Sequence, residues 1–141
     1  MSSVMLGSRP QILPPDTYNR IQRRGVNYEK RVVRDLVGLL DPSATLIHGQ
    51  WLYVGKSFCQ PDIIILRPKA PTLIIEVKLS HRPGAKKKLF DVYLPAVIEA
   101  FPGPVACAQV FRNLNGGNPD SFDLDYVLSM TTHRYAEIMW R

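Results

Sequence analysis

The alternation of apolar and polar positions divides the chain into a helix, a group of strands, a second helix and a further strand. After Gly25, the stretch "YEKRVVRDLVGLL" carries apolar residues three and four apart, with Asn27 placed to cap its start and "DPS" following Leu40 to end it. Glu29, Val33, Leu36 and Leu40 fall on one stripe, so a carboxylate stands in line with the face expected to meet the core, while Lys30, Arg31 and Arg34 lie off it. "TLIHGQWLYV" reads as one or two strands and "GKSFCQP" as the loop leaving them. Two compact apolar runs follow, Ile63 to Leu66 and Leu73 to Ile75, separated by "RPKAP", whose prolines favour a turn. "HRPGAKKK" reads as a basic loop, "KLFDVYLPAVIEAF" as a helix that Pro95 kinks or divides, and "VACAQVF" as a strand. "NLNGGNPDS" is a loop, and the pattern does not type "FDLDYVLSM" or "RYAEIMW". Residues 1–16 show no sustained period and read as a flexible arm ahead of a single domain over 17–141. The order helix, three strands, helix, strand predicts an α/β sandwich around a mixed sheet.

Composition narrows the partners more than the fold. The 141 residues, 45% of them hydrophobic, suit one folded domain with a modest core. A formal charge of +6 favours an anionic partner, nucleic acid ahead of an anionic membrane. No apolar run reaches the ~20 residues that span a bilayer, and the N-terminus has no charged segment leading into an apolar one, so a cytoplasmic rather than secreted protein is expected. Cys59 and Cys107 lack metal-ligand spacing and sit beside apolar runs, which points to buried thiols in a reducing compartment rather than a disulfide. His48, His81 and His133 are scattered and form no ligand pair.

The informative feature is where the two apolar runs begin and end. The first opens on Asp62, and the second closes on Glu76, Val77 and Lys78. In an antiparallel hairpin centred on Lys69, Asp62 falls opposite Glu76, with side chains on one face and Cβ atoms about 4.5–5.5 Å apart. Two like charges so placed destabilise a sheet unless a divalent cation sits between them, and carboxylate oxygens suit hard ions such as Mg²⁺. The period of two puts Lys78 on the face of Glu76 and turns Val77 away. The alternative is that all three are solvated strand-end charges.

"PD" at Pro61-Asp62 followed by "EVK" at Glu76-Val77-Lys78 resembles the signature of the PD-(D/E)xK nuclease superfamily. With "RGVNYEKRVVRDL", "PDIIIL" and "LIIEVK", the chain looks most like archaeal-type Holliday junction resolvases and small phage endonucleases over Gly25 to Ser80. The resemblance implies a restriction-endonuclease-like fold with an αβββαβ core. It implies Mg²⁺, with Mn²⁺ as a substitute, bound by Asp62, Glu76 and the Val77 carbonyl, with Glu29 as a further ligand from the first helix and Lys78 positioning the attacking water. Lys56 and Ser57 in "VGKSF" correspond to the basic or serine-bearing loop of the resolvases, whereas "KLFDVYLPAVIEAF" does not match their pattern and the Q-x-x-Y element of recombination-type exonucleases is missing. Arg20, Arg23 and Arg24 before the helix, and Arg82, Lys86, Lys87 and Lys88 after the second strand, flank the expected site and are candidate phosphate contacts. The resulting expectation is a Mg²⁺-dependent DNA endonuclease, with branched DNA as the leading substrate, a homodimer, and a phage as a fitting source for so small a chain. The alternatives are a nuclease of the same fold acting on linear or damaged ends, and a catalytically silent DNA-binding module.

Overall fold

A computed structural model describes residues 4–7, 20–114, 117–132 and 134–141, the side chains of residues 4, 5 and 21 excepted. The two apolar runs become β5 (Ile63–Leu66) and β6 (Thr72–Ser80), antiparallel neighbours inside a five-stranded sheet. β2 (Thr45–His48) flanks β5 antiparallel, and β7 (Val105–Asn113) and β8 (Tyr135–Met139) continue beyond β6 in parallel, giving the order β2-β5-β6-β7-β8. Both faces of this mixed sheet are covered, which is why its central strands read as unbroken apolar runs.

On one face, α1 (Arg20–Leu39) buries Tyr28, Val32 and Leu36 against Ile63, Ile65, Ile75 and Val77. The other face presents Ile64 and Ile74. These meet Leu52 of β3 (Trp51–Val54) and Leu89, Tyr93 and Val97 of a helical segment. That segment comprises α2 (Ala85–Lys88), a π-helical turn (Leu89–Tyr93) and α3 (Leu94–Ala100). Each large apolar side chain fully buried in these layers contributes about 1.5–3 kcal/mol. The α/β class and the mixed sheet are as the pattern predicts, and the layering is compatible with a sandwich.

Several elements differ from expectation. α1 starts at Arg20 rather than near Asn27, so Arg20, Arg23 and Arg24 ride on the helix instead of preceding it. Its buried stripe is Tyr28–Val32–Leu36, with Glu29 and Val33 at the margin, because the Tyr28 hydroxyl donates to the Trp140 carbonyl and fixes the helix's rotation. The expected loop "GKSFCQP" contains β4 (Ser57–Cys59), which returns along β3 through the turn at Gly55, whose φ of 60° glycine tolerates. Within the expected flexible arm, β1 (Val4–Gly7) adds to β3 and completes a separate antiparallel sheet, β1-β3-β4. Residues 1–3 and 8–16 of that arm, and His133, lie outside the described residues.

Pro95 stands in the first turn of α3, where the helical segment divides. The π turn just before it accommodates the missing N–H and the ring. "FDLDYVLSM" supplies α4 (Leu124–Leu128), capped by the Asp123 carboxylate accepting from the Asp125 amide, and "RYAEIMW" supplies β8. No described helix is long and apolar enough to cross a membrane.

Candidate active site

The pairs Ile63–Ile75, Ile64–Ile74 and Ile65–Leu73 are those of a hairpin centred on Lys69, so Asp62, one residue further out, comes level with Glu76. Asp62 is held from two sides. Its carbonyl accepts from the Gly49 amide at 2.9 Å, and its Oδ2 accepts from the Val77 amide at 2.7 Å. A carboxylate therefore closes the end of the hairpin where a backbone ladder would otherwise continue.

Glu76 is 1% exposed, and its Oε2 has no hydrogen-bond partner. Lys88 Nζ lies 3.7 Å from that oxygen and 5.2 Å from the centre of the Tyr93 ring. A buried carboxylate normally requires close pairing and full hydrogen bonding. Glu76 is hydrogen-bonded with Asp62 and Tyr93, but at Oε2 one long contact to a half-exposed lysine leaves the oxygen open. Burial first, then the Glu76 and Glu29 carboxylates, push Asp62 well above the usual carboxylate range, against the Val77 amide. Burial, followed by Glu76 and Asp62, likewise raises the Tyr93 hydroxyl and keeps it neutral.

Asp62, Glu76, Lys78, Lys88, Tyr93 and Trp51 line one open cleft of about 350 Å³. Lys78 is half-buried on the strand face of Glu76, while Val77 turns into the core on the α1 side. Val77 meets Asp62 through its backbone amide. Glu29 is near enough to act on Asp62, but its Oε2 lies 2.5 Å from His48 Nε2 on β2. The structure thus brings Asp62, Glu76 and Lys78 together and leaves Glu29 at the flank. Among the described residues, no three His, Cys, Asp or Glu side chains form a metal cage. Two adjoining carboxylates with one open buried oxygen at a cleft fit a hard cation that takes its remaining ligands from water and substrate.

The expected phosphate contacts separate. Arg20, Arg23 and Arg24 are exposed along the start of α1. Lys56 and Ser57 are exposed on the β3–β4 hairpin outside the cleft, and the hairpin residues that line it are Trp51, Phe58 and Cys59. Arg82 is exposed, with its backbone N–H and C=O both held by the buried Gln109 side chain, at 2.7 and 3.1 Å. Helical rotation sends the three lysines different ways: Lys86 over the Tyr135 ring, Lys87 to Asp91 at 2.9 Å, and Lys88 into the cleft.

The sequence pattern offers Lys88 as a phosphate contact flanking the site and does not mark Trp51 or Tyr93 as part of it. Tyr93 serves the core and the cleft at once, and Trp51 is a half-buried cleft wall whose indole N–H is buried without a partner. Residues five apart diverge on an α-helix, but the π turn brings Lys88 and Tyr93 together. Pro95 was the available signal. No family model matches the chain, and neither a curated protein nor a solved structure does.

Proposed function

We propose that the chain is a Mg²⁺-dependent endodeoxyribonuclease, Mn²⁺ being able to replace Mg²⁺, with branched DNA as its leading substrate. The observation that carries this reading is Asp62 level with Glu76 just beyond the hairpin ladder, the buried Glu76 Oε2 left open, and Lys78 lining the same cleft. Asp62 and Glu76 would hold the ion. When bound, it would draw charge from the phosphoryl oxygens and lower the pKa of a bound water. The Val77 amide fixes Asp62 in place for that role. Lys78 orients the attacking water and offsets charge as its oxygen bonds to phosphorus and the bond to the leaving sugar oxygen breaks. Lys88, 3.7 Å from Glu76 Oε2 in the same cleft, is placed to meet a phosphoryl oxygen. A homodimer with two such clefts would suit a branched substrate.

Linear, nicked and four-way-junction DNA incubated with the protein in Mg²⁺ or EDTA test this directly. Lys78→Ala is expected to abolish cutting while DNA binding largely survives. Normal cutting by that variant in Mg²⁺ sinks the assignment, and failure of the parent protein to cut any of the three favours a DNA-binding module.

A further inference from the structure

The cleft has a second wall that phosphate chemistry does not use. Phe58 is 53% exposed although it is a large apolar side chain, and it lines both the cleft and an adjoining apolar groove of about 330 Å³. Its ring meets Trp51 edge-on, with centroids 5.4 Å apart and planes at 62°, and it meets Tyr53 at 6.0 Å. Trp51 stands in the same cleft as Asp62, Glu76 and Lys78. Its buried, unpartnered N–H is a donor that ordinary core packing would satisfy.

The geometry points to a nucleobase-stacking subsite on Phe58 and Trp51, occupied by an unpaired base adjoining the phosphate held beside Lys78 and Lys88. This rests on the proposed nuclease reading and names the substrate class within it: DNA with an unpaired nucleotide at the cut. Cationic groups beside exposed aromatic rings are how proteins hold single strands, the cations following the backbone and the rings stacking bases of any sequence. The charges here fix which part of the nucleotide goes where. Lys78 and Lys88 lie on the cleft side, while Asp91 and Glu99 line the groove beyond Phe58 and disfavour phosphate there. Only the neutral base fits on the aromatic side. In an intact duplex the bases are stacked internally and cannot reach such a wall, so the subsite discriminates in favour of flaps, single-stranded tails and open branch points.

The test separates this from the nuclease reading. Binding of a labelled oligothymidine, a flapped duplex and a blunt duplex is measured in EDTA for the parent protein, Phe58→Ala and Phe58→Trp, with cutting of the same substrates measured in Mg²⁺. Phe58→Ala is expected to weaken binding of the oligothymidine and the flap by about tenfold or more, the scale of one base–aromatic stack. Blunt-duplex binding should stay unchanged and Phe58→Trp should restore the loss. Equal weakening on all three substrates, or none, overturns the subsite, as does a shift from dimer to monomer on Phe58→Ala, which would make the ring a contact between copies. Lys78-dependent cutting together with Phe58-independent binding leaves the nuclease standing without the subsite. Phe58-dependent binding without any cutting leaves the subsite standing without the nuclease.

Discussion

At the scale of single residues, Asp62 carries the tension in the site. Its carboxyl is driven above the ordinary value of 3.8 by burial and by two neighbouring carboxylates. A raised folded-state pKa means that ionisation is harder in the folded protein than in the unfolded chain. The stability this group contributes is therefore full below about pH 4 and is lost as pH rises through the folded-state value. In EDTA, Asp62→Asn should melt a few degrees higher than the parent at pH 8, the advantage fading as pH falls to 4. The side-chain oxygen of Asn can still accept from the Val77 amide, so the comparison isolates charge. Added Mg²⁺ should raise the parent's melting temperature at pH 8 and leave the variant's unmoved. Thermal melts across that range check both, and parallel curves for the two proteins would refute the account. The pairing was legible in the sequence because a turn centred on Lys69 fixes which residues oppose. Glu29 was legible as a helix-stripe residue and, through the resemblance, as a candidate ligand; its engagement by His48 depends on how far β2 extends, which no local pattern encodes.

At the scale of elements, the β5–β6 hairpin sets the site, and its tip is fastened separately. Arg67 donates from Nε to the Pro71 carbonyl at 2.9 Å, from Nη1 to Leu128 at 2.5 Å and from Nη2 to Met130 at 3.3 Å, tying the turn to the end of α4. Charged hydrogen bonds of this kind contribute about 1.5–3 kcal/mol each at most, and they share one side chain. Arg67→Ala should lower stability by roughly 2–3 kcal/mol. Cutting per folded molecule should be retained, because Asp62 and Glu76 lie at the far end of the Ile63–Ile65 ladder. Urea unfolding alongside a cleavage assay separates the two effects, and lost cutting at unchanged stability would place control of the register in the turn. The central strands were readable because burial on both faces leaves an apolar run. β1 and β4 were not, because a short strand in a second sheet, such as "SFC", has neither the length nor the alternation to stand apart from loop. The start of α1 was missed because Gly25 reads as a breaker, whereas Tyr28, Val32 and Leu36 anchor the helix on the sheet and it extends back through it.

At the scale of the whole molecule, the net charge of +6 matters through its placement. Lys78 and Lys88 sit in the cleft, while Lys87 is exposed and paired with Asp91, an acidic residue lining the neighbouring groove. A phosphate approaching Lys87 meets that carboxylate as well, so adjacent lysines on one helix should contribute unequally to DNA binding. Each cation that neutralises a phosphate adds about 0.7 to 0.9 to the magnitude of the slope of log affinity against log salt. Lys88→Ala should therefore reduce the slope by roughly that amount, and Lys87→Ala should leave it nearly unchanged. Fluorescence anisotropy titrations in EDTA between low and moderate salt measure both slopes. Equal reductions would mean that the lysine run acts as a diffuse basic surface. A flat salt dependence of the parent protein would remove phosphate contact from the picture and, with it, the cleft's claim on a nucleic acid backbone.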